Sequence, residues 1–215
     1  MQLTHKLTAI IADDHKIVRE GLREIINKTS DIRVVDEAKN GNELLSKVVE
    51  NDYDVILLDI SMPGRSGLDI LKQLKQEKPH IQVLILSMFS EEEFAVRAMK
   101  TGAAGYLVKD TASKDLIEAI RKVSTGLKYV TPSLAEKLAL DIELGNETPL
   151  HGKLSNREYE VMRMISFGKK NKEIAEEICV SPKTVSSYKR RILDKMGMKT
   201  NAQLTEYAIR NGLIN

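Results

Sequence analysis

The chain has 215 residues, 42% hydrophobic and 30% charged, a balance that suits a domain of ordinary size plus a smaller one and excludes a chain disordered throughout. A single cysteine, Cys179, excludes an intramolecular disulfide and a cysteine-cluster zinc site. The net charge of +2 conceals an asymmetry: residues 151–215 hold 13 Lys or Arg against 7 Asp or Glu, while residues 1–150 hold 20 against 24, so a basic module that suits a polyanion follows an acidic one.

The N-terminus shows no charged-then-apolar leader, and the longest apolar runs are about six residues, far too short to cross a bilayer. A cytoplasmic location without membrane contact is expected. The first 125 residues alternate short apolar runs with amphipathic stretches. The runs are Leu7–Ala12, Ile32–Ala38, Asp54–Leu58, Gln82–Leu86 and Gly105–Val108. They lack strict period-two alternation, so both faces of the sheet should be covered. Between them, stripes such as Ile17, Leu22, Ile25, Ile26 and Leu116, Ile117, Ile120, Val123 have helical spacing. Five strands alternating with helices predict a doubly wound α/β domain with a five-stranded parallel, flavodoxin-like sheet over 1–126.

Residues 127–150 read as a linker with a short helix starting at Thr131-Pro132-Ser133 and ending before Gly145 and Pro149. Residues 151–215 contain no plausible strand. Apolar spacing predicts four short helices, the third over 182–196 with Pro182 in its first turn and Gly197 at its end. Cys179 falls on the predicted second helix of this small all-α domain, as a core residue.

Carboxylates cluster at the predicted strand ends. Asp13 and Asp14 follow the first run and Asp59 the third. In a sheet of order 2-1-3-4-5 those strands are neighbours, and ligands sit beyond their carboxyl ends. Three like charges there need a cation, and magnesium suits oxygen ligands beside phosphate. Ser87, past the fourth run, and Lys109, past the fifth, complete a set for phosphoryl transfer, with Asp59 as nucleophile and Lys109 neutralising charge. Singly, each of these residues reads as a helix cap, a turn residue or a solvated lysine. His15 reads as a first-turn helix residue, not a ligand.

Asp13-Asp14, Asp59 with Met62-Pro63-Gly64, Ser87 and Lys109 together resemble the receiver domain of two-component response regulators, over roughly residues 5–125. That resemblance implies Asp59 as phospho-acceptor, with Mg2+ held by Asp14, Asp59 and the backbone carbonyl of Ser61, and with help from Asp13. It makes Tyr106 the aromatic switch residue and a sensor histidine kinase the phosphoryl donor. Two positions depart from the common pattern: Ser87 stands where many receivers have threonine, and Asp110 where many have proline. Without proline a cis bond after Lys109 is disfavoured by about 3 kcal/mol.

The runs Leu154-Ser155-Asn156-Arg157-Glu158, Asn171-Lys172-Glu173-Ile174-Ala175 and Ser181-Pro182-Lys183-Thr184-Val185-Ser186-Ser187-Tyr188-Lys189-Arg190-Arg191 resemble the NarL/FixJ (LuxR-type) helix-turn-helix family. The third run is a variant of the BvgA and RcsB kind. The resemblance implies double-stranded promoter DNA as partner and a homodimer when phosphorylated. A recognition helix enters the major groove. Ser186, Ser187 and Arg190 share its outer face, and Arg190 suits guanine. Lys172, Lys183, Thr184, Tyr188, Lys189 and Arg191 are placed for phosphates. Ser186 stands where several members carry a basic residue. Leu204, Tyr207, Ala208 and Asn211 of the last helix are candidates for a two-fold contact.

The resulting expectation is a response regulator that is no metabolic enzyme, although slow hydrolysis of its own phosphoryl group is expected. An aspartyl-phosphate phosphatase is one alternative, but its motif carries a second Asp two residues after the nucleophile, where this chain has Ser61. A phosphorylation-independent pseudo-receiver, or a receiver with an RNA- or protein-binding output, are the others.

Overall fold

A computed structural model describes residues 6–88, 91–110, 113–143 and 149–214, with backbone alone for 91–93 and 141–143. The chain forms two compact units, Met1–Ala135 and Glu136–Asn215.

In the first unit, strands β1 (Leu7–Ala12), β2 (Ile32–Ala38), β3 (Val55–Asp59), β4 (Gln82–Ser87) and β5 (Gly105–Val108) alternate with helices α1 (Lys16–Asn27), α2 (Gly41–Glu50), α3 (Gly67–Glu77), α4 (Glu91–Thr101) and α5 (Ser113–Ser124). The strands pair in parallel in the order β2-β1-β3-β4-β5. Ala9, Ile11, Val55, Leu57, Leu84 and Leu86 pack on one face with Ile26 of α1 and Leu116, Ile120 and Val123 of α5. The intervening Ile10, Ile56, Leu58 and Ile85 are equally buried and point the other way by the strand pleat. Burial on both faces is why the central strands read as unbroken apolar runs. β2 differs: as an edge strand it exposes Arg33 and Val35 in alternation with the buried Ile32 and Val34. Asp59 and Ser87 are the last residues of their strands, which extend one position beyond the apolar runs.

After α5, Tyr129 donates its backbone N–H to Ala104 (2.8 Å) and bridges Gly105 in parallel, so the connecting segment first runs beside β5. Helix α6 (Pro132–Glu143) follows, its first turn closed by Thr131, whose Oγ1 accepts from the Leu134 N–H at 3.2 Å.

The second unit holds a 3-10 turn (Leu150–Lys153) and helices α7 (Asn156–Ser166), α8 (Asn171–Glu177), α9 (Pro182–Met196) and α10 (Asn201–Arg210). Helix α9 packs on α7 and α8, and α10 on α7. Ile174, Val185, Ile192, Met196, Leu204 and Ala208 are buried in it. Each boundary of α9 has a local cause. The Ser181 hydroxyl accepts from the Thr184 N–H at 3.1 Å, Pro182 opens the first turn, and Gly197 ends the helix in the left-handed conformation at φ +66°.

Cys179 corrects the expectation of a core cysteine. It lies past the end of α8, exposed, with φ +51°, in the turn leading to α9. The periodicity of Ile174, Ala175 and Ile178 masked that turn. Leu204 and Ala208 face the core, which removes them from any two-fold contact, and the Tyr207 hydroxyl lies 2.9 Å from His151 Nδ1. The side of α10 facing outward carries Ala202, Glu206 and Ile209.

Candidate functional site

Parallel pairing of β1 with β3 sets Ala12 beside Leu58, so Asp13 and Asp59 leave adjacent strands together. Both are 1% exposed. Lys109, just past β5, reaches across with its Nζ 2.6 Å from Asp13 Oδ2 and 2.8 Å from Asp59 Oδ2. Its backbone N–H donates to the Ser87 carbonyl at 2.7 Å, which ties the lysine to the end of β4. Ser87 is fully buried and follows Leu86, the register partner of Asp59. Tyr106, on the interior of β5, is fully buried too.

The loop after Asp59 is held close to the strand end. The Ser61 N–H donates to Asp59 Oδ1 at 3.1 Å, and the Gly67 N–H to the Ile60 carbonyl at 2.9 Å. A Cβ on Gly67 would stand 2.3 Å from the Asp59 carbonyl oxygen, so only glycine lets α3 start there. Met62 is buried beneath the same loop.

Burial pushes the Asp59 carboxyl above the usual carboxylate range. The Lys109 charge opposes that, the Asp13 charge adds to it, and hydrogen bonds from Lys109 and Ser61 oppose it again. For Lys109, burial by itself would lower the ammonium; the charge of Asp59 and the bonds to Asp13 and Asp59 outweigh it and raise it. The lysine is therefore firmly cationic.

Ligand atoms of Asp13, Asp14, His15 and Asp59 lie within 4.8 Å of one another. With the three carboxylates ionised against one ammonium, the cluster carries a net −2, the complement of a divalent cation. Its hard oxygen donors fit magnesium. Of two further neighbours, His15, expected in the first turn of a helix, stands instead at the N-cap of α1 beside the carboxylates, and Arg19 escaped sequence reasoning. The His15 ring lies 3.0 Å from Asp14 Oδ1 and 3.3 Å from Asp13 Oδ1. Arg19 donates to the Asp13 carbonyl at 2.8 Å and pairs with Glu37 at 3.1 Å. Only the Asp-Asp-His sequence hinted at the first, and the second needed the fold.

In the second unit, Lys183, Ser186, Ser187 and Arg190 line one exposed face of α9, opposite the buried Val185, Ile192 and Met196. Lys172 and Arg191 are exposed as well. Thr184, Tyr188 and Lys189 are only half-exposed, and the Thr184 hydroxyl lies 2.8 Å from Ser181 Oγ in the helix cap. Sequence reasoning missed Asn171, whose amide donates to Ser186 Oγ at 3.1 Å across the turn. Among the described residues, no helix is long and apolar enough to cross a membrane.

Comparisons with known proteins agree with this division. Residues 9–121 match the family "Response regulator receiver domain", and residues 152–208 match "Bacterial regulatory proteins, luxR family". The response regulator UvrY of Escherichia coli K12 is 36% identical over 210 residues, covering 97% of this chain and 96% of its own. The oxygen regulatory protein NreC of Staphylococcus aureus JH9 is 39% identical over 212 residues, covering 95% and 98%. Among solved structures, RcsB of Salmonella enterica serovar Typhimurium bound to promoter rprA with the phosphomimetic BeF3− is 27% identical, with a TM-score of 0.63 over 94% of this chain and 98% of that one. A receiver of this topology, a LuxR-type helix-turn-helix and near-full-length relatives make the chain a member of the NarL/FixJ family of response regulators, with a receiver domain and a DNA-binding domain.

Proposed function

We propose that this chain regulates transcription through phosphorylation of Asp59 by a sensor histidine kinase, in the cytoplasm. The observation that carries the reading is the Asp59–Lys109–Asp13 contact, two buried carboxylates bridged by one ammonium at the switch point of the sheet. The receiver spans 1–126, a connecting segment 127–150 and the DNA-binding domain 151–215.

In the transfer, the N–P bond of the kinase phosphohistidine breaks and a bond forms from an Asp59 carboxylate oxygen to phosphorus. Asp14, Asp59 and the Ser61 carbonyl would hold Mg2+ directly, with help from Asp13. Bound there, the ion would supply positive charge to offset that of the phosphoryl oxygens. Lys109 gives up its contact with Asp59 to pair with the phosphoryl group. Ser87 donates its hydroxyl to a phosphoryl oxygen, and Tyr106 repacks as Ser87 moves. The altered α4–β5–α5 surface favours a homodimer, and coupling of this kind amounts to about 1–3 kcal/mol.

The output is promoter DNA, as in the RcsB complexes. Helix α9 enters the major groove with Ser186, Ser187 and Arg190 toward base edges, while Lys172, Lys183, Thr184, Tyr188, Lys189 and Arg191 serve the phosphates. Self-hydrolysis of the acyl phosphate resets the switch; no metabolic substrate is involved.

Incubation with radiolabelled acetyl phosphate tests the first step. Label should enter the wild-type chain only with Mg2+, and Asp59→Asn should stay unlabelled. Labelling of Asp59→Asn at the wild-type level would overturn the assignment.

A further inference from the structure

The exposed face of α9 offers hydrogen-bonding groups that are already committed in one direction. A serine hydroxyl has one proton and two acceptor sites. Ser187 Oγ donates its proton to the Lys183 carbonyl at 3.1 Å, and Ser186 Oγ donates to the Pro182 carbonyl at 3.0 Å. Both bonds run back one turn along the helix. The two serines then differ. Ser186 also accepts from the Asn171 amide at 3.1 Å, so much of its capacity is spent within the protein. Ser187 accepts from no group among the described residues, and it is exposed. Its oxygen therefore meets a partner as an acceptor. Arg190, three residues on along the same exposed face, is a donor only.

We propose that Ser187 is a specificity-determining residue that accepts a hydrogen bond from an exocyclic amino group in the major groove, N6 of adenine or N4 of cytosine. This rests on the reading of α9 as the helix that enters that groove. The amino groups of adenine and cytosine are the donors among the base edges there, while guanine N7 and O6 and thymine O4 are acceptors. To meet an acceptor, Ser187 must first break its bond to Lys183; to meet an amino group, it keeps that bond and accepts on a lone pair that no described residue uses. The serine thus adds an acceptor beside the Arg190 donor, and the helix selects an amino-bearing base near a guanine.

The test uses the full chain with Mg2+ and beryllofluoride and a duplex pool randomised at the binding site. Wild type should enrich adenine or cytosine at one position by about five- to tenfold, the worth of a single hydrogen bond. Ser187→Ala, at an exposed helical site where alanine is well tolerated, should lose that preference while the remaining positions keep theirs. Ser187→Thr, which keeps the hydroxyl, should retain it.

Base analogues then separate the two sources. If the selected base is adenine, purine deoxyriboside, which lacks the amino group, should weaken wild-type binding about five- to tenfold and leave Ser187→Ala unaffected. Deletion of N7 as 7-deazaadenine should leave both unaffected. If it is cytosine, 2-pyrimidinone serves in the same way. Selection of guanine or thymine at the Ser187-dependent position, an unchanged profile in Ser187→Ala, or loss with 7-deazaadenine overturns the inference alone. A wild-type chain that retains no duplex overturns the DNA-binding reading, and this inference with it.

Discussion

Asp59 is 1% exposed and its carboxyl is pushed up by burial, so its ionised form is disfavoured where the proposed chemistry needs it. A carboxyl raised in the folded state lowers stability as pH rises through its unfolded pKa toward its folded one. Asp59→Asn should therefore raise the urea midpoint of the receiver at pH 7 in magnesium-free buffer, with the m-value unchanged; a lowered midpoint would contradict the account. Lys109→Met has the opposite sign. It leaves Asp13 and Asp59 facing each other without a cation, and removal of one partner from a buried ion set costs about 3–5 kcal/mol. A loss below about 1 kcal/mol would mean that the lysine contact is not the buried bridge described. Asp13, Asp14, Asp59, Ser87 and Lys109 were legible in the sequence because each stands at the end of an apolar run. The His15 ring, Arg19 and Asn171 were not, because their partners depend on side-chain direction, which spacing does not encode.

At the scale of elements, the caps carry much of the second unit. Ser155 and Glu158 form a reciprocal capping box at the start of α7, and Glu158 also accepts from Lys195 near the end of α9 at 2.6 Å. Burial alone would raise this carboxyl, but bonds from Lys195 and Ser155 prevail and lower it. A depressed carboxyl stabilises above its unfolded pKa, and the contribution fades as pH falls through the folded value. Glu158→Gln, which keeps the capping box as Gln203 does at the start of α10, should therefore flatten the acid limb of the unit's stability profile below the ordinary glutamate range and cost up to about 1 kcal/mol at neutral pH through the lost charge pairing with Lys195. An unaltered acid limb would contradict the assignment. Gly67→Ala should destabilise the first unit by about 1–3 kcal/mol, since its Cβ meets backbone that cannot rotate away. The five strands and the span of α9 were legible in the sequence through apolar runs and through Pro182 and Gly197. The one-sided burial of β2 was not, although the expected order already puts that strand at the edge: its apolar run shows too little alternation to reveal which residues face solvent. The 3-10 turn at Leu150–Lys153 carries no periodic signal at four residues.

For the whole molecule, the division into two compact units predicts two separable unfolding transitions in calorimetry. Magnesium should raise only the transition of the first unit, by about 2.7 kcal/mol at a concentration one hundred times the dissociation constant, and chelation should abolish the shift. A shift of both transitions together would contradict independent units. The charge asymmetry between the halves is legible in the composition alone, and it matches the division of labour proposed between an acidic phosphoryl site and a basic DNA helix.

The central claim is that the state of Asp59 sets DNA affinity. Its most direct test is fluorescence-anisotropy binding of the full chain to promoter duplexes with Mg2+, before and after beryllofluoride, for wild type and Asp59→Asn. Tighter binding after treatment in wild type alone is the predicted result. Equal affinity in both states, or the same tightening in Asp59→Asn, would contradict it.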